Sequence, residues 1–228
     1  MIDKHLILDA FNFRHACKVF DTTKKIPDED FNFLMETARL SPSSFGMEHW
    51  RFIVISDGSL KEALQPHCWN QKQIASCSHL IVVLAKTEAV QDEAYIMKMF
   101  SRHTQDKEQL QASFGSYMAL LEQKIKAFVS RYMYKMLTKK HAVYEWCTRQ
   151  CYIAAANMAT SAAMIGIDSC FIEGFKKEKL EDALGIDSNK EEIAVLLTFG
   201  YRVNEQPAKN RLTLEEIMEV RSSIDKHP

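Results

Sequence analysis

Seven glycines in 228 residues, at positions 46, 58, 115, 166, 174, 185 and 200, leave no two close enough for G-x-G-x-x-G or a P-loop. A Rossmann dinucleotide fingerprint and a Walker A phosphate loop are therefore both absent. The eight histidines form no H-E-x-x-H, and no G-x-S-x-G elbow occurs, so the usual zinc-protease and α/β-hydrolase motifs are missing too. Charge of one sign is also lacking. The 29 basic and 30 acidic residues sum to −1, which gives no global field for nucleic acid or an anionic membrane. No apolar run approaches the ~20 residues of a membrane-spanning helix. The six cysteines (17, 68, 77, 147, 151 and 170) include no C-x-x-C pair. Cys147 and Cys151 share a helical face, but His141 is badly spaced to complete a metal site with them. Reduced thiols and no metal are expected. The opening MIDK lacks signal-peptide character, so a cytoplasmic location is expected.

What is present reads as one domain over residues 1–228, with no repeat or low-complexity linker. A helix is expected through about Phe13. In IPDEDFNFLMETARL, Pro27 suits a first turn, Asp28, Glu29 and Asp30 suit the positive end of a helix dipole, and Pro42 discourages continuation through Ser41. The β-branched and aromatic stretches 50–56, 79–86, 169–175 and 193–202 read as strands. One or two long helices lie between 90 and 138. VYEWCTRQCYIAAANMATSAAMIGID is apolar almost all round, and Gly166 sits where a C-terminal cap belongs. Such a helix implies burial on every side, in the core and against a second subunit. Strands alternating with helices indicate an α+β or α/β sandwich.

Basic residues gather at element ends. Arg14 and Lys18 lie just after the first helix, and Lys209 and Arg211 share one side of an extended segment after the last strand. Each cluster taken alone reads as a solvated turn. Four cations from distant segments would together suit a phosphate monoester. The basic group Lys135, Lys139, Lys140 and His141 reads as a solvated face. Cys17, beside His15 and Lys18, reads as a packed small side chain or, alternatively, a reactive thiol. Trp69, Phe114 and Tyr117 are candidates for a pocket rim or for core positions.

Five segments carry a resemblance. RHACK resembles R-H-S-x-K, LSPSSFGMEHWRFIVIS resembles S-P-S-S-x-N-x-Q-P-W-x-F-I-V, and WNQKQIASCSHLIVVLAKT resembles F-N-E-x-K…A-S-H-V-V-V. IGIDSCFIEGF is similar to G-L-D-x-x-P-I-E-G-F, and LLTFGYR…AKNRL to V-x-x-G-x-x…x-K-S-R-L. These are motifs of the FMN-dependent nitroreductase family, particularly the oxygen-insensitive NAD(P)H nitroreductases, and they keep family order from residue 14 to residue 212.

The resemblance implies an α+β fold, with a mixed central sheet flanked by helices, in an intertwined homodimer carrying FMN at the subunit interface. It implies that Arg14, Lys209 and Arg211 hold the FMN phosphate, assisted by the backbone around His15 and Ala16. Lys18 would face the pyrimidine side of the ring, and Asn70 its polar edge. Gln73 stands where the enteric enzymes carry a second lysine near the flavin. Pro42, Ser43 and Ser44 would come from the other subunit. Glu173 and Gly174 would lie against the ring, with the Glu173 backbone N–H toward N5.

The activity implied is hydride transfer from NAD(P)H by a ping-pong route to nitroaromatics, quinones or similar small acceptors. The alternatives are free flavin, pteridine or enone acceptors, or a low-turnover flavin-binding or sensing protein. Ala16 departs from the family serine, and Gly46, Glu48 and His49 replace its asparagine, glutamine and proline. Cys170 reads as a small core residue.

Overall fold

Local capping signals start most of the helices in the computed structural model, which describes residues 3–131 and 139–221. Asp3 accepts from His5 N–H and starts α1 (Lys4–Phe13). Helix α2 (Asp28–Arg39) begins one residue after Pro27, with the three acidic side chains in its first turn. Strand β1 (Trp50–Ile55) follows. Asp57 then caps α3 (Gly58–Leu64), and a 3-10 turn leads to α4 (Lys72–Ser76) and β2 (His79–Lys86). Asp92 caps α5 (Glu93–Ser101), which precedes α6 (Lys107–Arg131). Residues 132–138 of the expected helical region, Lys135 among them, lie outside the described residues.

The apolar segment is α7 (Lys139–Met164). It stops where expected. Gly166 adopts φ +77°, a left-handed conformation that suits glycine, and Ile167 N–H donates back to Ala162 O at 2.8 Å. Strand β3 (Asp168–Ile172), α8 (Lys177–Ala183), β4 (Glu191–Gly200) and the short α9 (Leu214–Ile217) complete the described chain.

The four strands form one sheet in the order β1-β2-β4-β3, and every neighbouring pair is antiparallel. Where a mixed sheet was expected, the only parallel pairing among the described residues is an isolated bridge between Ala16 and Ser169, outside the four strands. Strand β2 is apolar on both faces because both faces are covered. Ile81, Val83 and Ala85 pack with Leu34, Trp146, Cys151 and Met158 on the α7 side. Leu80, Val82 and Leu84 pack with Cys17, Phe20, Leu64, Ile74 and Cys170 on the other. Each fully buried leucine or isoleucine of these layers contributes about 2 kcal/mol. Helix α7 touches all four strands as well as α1, α2 and α6. Ile153, Met164 and Ile165 on or just beyond it stay exposed, as do Leu6, Leu8 and Phe11 on α1.

Candidate functional site

The chain leaves α1 at Arg14, whose own N–H still caps Ala10 O while its backbone turns extended. The following segment lies alongside β3, with Cys17 N–H donating to Ser169 O at 3.1 Å. A buried acid secures it. Asp168, at the start of β3, accepts the Arg202 backbone N–H at 2.8 Å and pairs with its guanidinium at 2.5 Å. His15 Nδ1 lies 3.5 Å from the same carboxylate. Arg202 also donates to Phe13 O at 3.3 Å and stacks over the Phe13 ring. Burial, then the Arg202 charge, hold the His15 imidazole below its usual value, while Asp168 opposes them. The cleft here, about 370 Å³, is lined by His15 to Val19, Arg202 and Pro207 among others.

Three of the expected cations converge. Lys209 Nζ donates to Arg14 O, and Arg211 lies close enough for its charge to act on Lys209. Burial first, then Arg14 and Arg211, lower the Lys209 pKa. Among the described residues, none of Arg14, Lys18, Lys209 and Arg211 has a carboxylate within ion-pair distance. Like charges gathered without a counter-ion repel one another, so the cluster is suited to an anion such as a phosphate monoester.

A second group lies at the far end of β3. Lys18 Nζ sits 3.7 Å from Cys170 Sγ, and Gln73 Nε2 lies 4.0 Å from the same sulfur. Lys72, the neighbouring lysine, is exposed while Gln73 is buried. Gln71 orients Gln73 through its Oε1 at 2.9 Å and donates to Gly174 O at 2.8 Å. Trp69 and Asn70 both adopt left-handed backbone, at φ 55° and 54°, and both are exposed. The Trp69 ring occupies the space a Gly174 side chain would need: an added Cβ would stand 2.7 Å from its carbons. The Tyr152 hydroxyl on α7 donates to Glu173 Oε1, and burial together with that carboxylate raises the phenol's pKa.

Pro42, Ser43 and Ser44 lie elsewhere in this chain, clamped on α7. Ser44 N–H donates to Gln150 Oε1 at 2.9 Å, and Asn157 Nδ2 to Ser41 Oγ at 2.8 Å. Among the described residues, no hydrogen bond or ion pair joins this loop to the cations. Left-handed residues Phe45, Gly46 and Glu48 follow, and Tyr95 holds Met47 O at 2.9 Å. Of the rim candidates, only Trp69 stands at the site. Tyr117 is fully buried with its hydroxyl on Val90 O, and Phe114 packs on the core. Cys17 is buried, and its thiol is pushed up to about 11 by burial and then Asp168, which is an inert thiol's environment. All six cysteines are free and buried, and no metal-binding group occurs among the described residues.

Asp168, Arg202, Gln71 and Tyr152 were not read as site residues from the sequence. Asp168 stands at the motif aspartate of IGIDSCFIEGF and Arg202 inside LLTFGYR, yet the part they play shows only in their long-range pairing.

The Nitroreductase family model matches residues 12–201, and the chain belongs to that family. A Haemophilus influenzae protein provisionally named an NAD(P)H nitroreductase is 38% identical over 222 residues, covering 95% of this chain and 97% of that one. The Bacillus subtilis nitroreductase-type protein ydfN shares the fold, with a TM-score of 0.80 at 22% identity, over 96% of this chain and 100% of that one. A protein of the same type from Exiguobacterium sibiricum, solved in complex with FMN, superposes with a TM-score of 0.71 at 22% identity, over 97% of this chain and 98% of that one. No helix among the described residues is long and apolar enough to cross a membrane.

Proposed function

We propose that this chain, residues 1–228 acting as one FMN-binding domain, is a flavoprotein oxidoreductase. It takes hydride from NAD(P)H and passes electrons to nitroaromatics, quinones or similar small acceptors. The observation that carries the reading is the cluster Arg14, Lys209 and Arg211, without a carboxylate partner among the described residues and placed at one end of a segment whose other end presents Lys18. The family's NAD(P)H nitroreductase names and the FMN bound in the Exiguobacterium relative add support.

Bound FMN would supply a two-electron carrier that accepts a hydride and later releases it. Arg14, Lys209 and Arg211 would hold its phosphate by charge-assisted hydrogen bonds, with the backbone at His15 and Ala16 beside them. Lys18 would place a positive charge at the polar edge of the ring, where it favours the reduced form. Asn70 and Gln73 would offer neutral polar contacts there, and Glu173 and Gly174 would border the ring. Tyr152 fixes the Glu173 carboxylate by donating to it. Donor and acceptor would use one ring face in turn, which makes the kinetics ping-pong.

The site would be completed in a homodimer, with Pro42, Ser43 and Ser44 supplied by the second copy. The exposed apolar residues of α1 and α7 support such an association. The absorbance spectrum of the purified protein, followed by anaerobic addition of NADPH, tests the reading. Flavin bands that bleach within the mixing time are expected. A colourless protein that takes up no added FMN would overturn it, and bound FMN that NADPH leaves oxidised would point to a binding protein instead.

A further inference from the structure

Resting on the cofactor reading above, a role can be assigned to Cys170, to which that reading gives no part. Cys170 is fully buried in β3. Its single thiol proton is directed to Phe171 O at 3.4 Å. The sulfur lone pairs are left for donors, and two groups that can only donate through nitrogen face them: the Lys18 ammonium at 3.7 Å and the Gln73 amide at 4.0 Å. Gln73 is held in turn by Gln71, and Gln71 by Gly174 O. One line of contacts therefore runs from Lys18 through Cys170, Gln73 and Gln71 to the backbone after Glu173. Lys18 has no other hydrogen-bond partner and no ion-pair partner among the described residues.

The chemistry of the anchor matters. A carboxylate at this place would hold Lys18 and cancel its charge. A neutral sulfur holds the ammonium and leaves the charge available to a ligand. Burial raises the thiol's pKa against the pull of Lys18, which keeps it protonated. That also rules the sulfur out as an attacking thiolate.

We propose that Cys170 is a positioning residue: its buried thiol anchors the Lys18 ammonium, and so the positive charge at the site, without neutralising it. Lys18 is the group that acts on the ring, and Cys170 acts through it.

The midpoint potential of bound FMN reads this directly, measured for wild type, Lys18→Met, Cys170→Val, Cys170→Ser and the double variant Lys18→Met with Cys170→Val. Loss of Lys18 is expected to weaken reduced FMN about tenfold relative to oxidised FMN, about 30 mV more negative for a two-electron couple. Cys170→Val should shift the potential in the same direction by a smaller amount. Cys170→Ser, which keeps a lone-pair acceptor, should restore most of it. The double variant should match Lys18→Met alone, because the sulfur has nothing left to position. Should Cys170→Val fail to fold, Cys170→Ala provides the same comparison with serine. A valine or alanine variant that retains FMN at the wild-type potential overturns the assignment, as does a shift that adds in full to that of Lys18→Met. A wild-type protein that binds no FMN overturns the cofactor reading instead, so the two failures are distinguishable.

Discussion

Arg202 meets Asp168 twice, its guanidinium at 2.5 Å from one carboxylate oxygen and its backbone N–H at 2.8 Å from the other. The pair ties the exit of β4 to the start of β3, and through Phe13 O it also ties down the segment that carries Arg14 and Lys18. Removing one member of a buried pair leaves the other charge without compensation. Asp168→Ala should therefore lower the unfolding free energy by about 3 kcal/mol, seen as a drop in urea midpoint. It should also weaken FMN binding, although Asp168 is not placed against the cofactor.

The cation cluster gives a sharper expectation. Lys209→Ala combined with Arg211→Ala should raise the dissociation constant for FMN about 100-fold, from two charge-assisted hydrogen bonds at about 1.5 kcal/mol each. Fluorescence quenching of free FMN on titration measures it. Wild-type affinity should fall as salt is added, and the double variant should respond less. Unchanged affinity would remove these residues from the phosphate site.

His49 makes acid stability predictable. It is fully buried with its ring edge-on to Trp146, and neither ring nitrogen has a hydrogen-bond partner among the described residues. Burial, then the charge of Lys86, lower its pKa to about 3. An unfolded histidine titrates near ~6.5. Between these values the unfolded chain binds a proton that the native chain refuses, so stability is lost as pH falls from about 6.5 toward about 3, at about 1.4 kcal/mol per pH unit. His49→Leu should remove that much of the slope. It should also stabilise the protein at pH 5, because the orphaned nitrogens go with the ring. Urea midpoints at pH 7 and pH 5 for both proteins decide it.

Gly174→Ala tests the aromatic face of the site. The new Cβ would stand 2.7 Å from Trp69 ring carbons, and that exposed ring can move aside. A stability loss below about 1 kcal/mol is expected, together with a changed Trp69 emission and slower turnover. An unaltered emission spectrum would mean that the ring does not stand over Gly174.

Much of this frame was legible in the sequence. Strand β2 was readable because six apolar positions, Leu80 to Ala85, run without a break, and α7 because its apolar residues wrap almost all round it. Strand β3 is shorter than its pattern suggested. It stops at Ile172, since Glu173 and Gly174 leave the ladder to meet Tyr152 and Gln71. Helices α3 and α4 carry too few residues for periodicity to register, although the Asp57 cap was a usable signal. Arg14, Lys18, Lys209 and Arg211 were found because charge stands out in a sequence. Asp168 with Arg202, and Cys170 with Lys18, were not, since a pairing across 34 or 152 positions leaves no local trace.

Helix α7 places two loops on one rigid rod. Gln150 and Asn157 grip the 41–44 loop, and Tyr152, between them in sequence, grips Glu173. The spacing of these grips is set by the helical rise of about 1.5 Å per residue, not by either loop. A substitution that slides or tilts the rod moves both loops in concert. Changes at Gln150, Tyr152 and Asn157 are therefore coupled, although they grip segments about 130 positions apart.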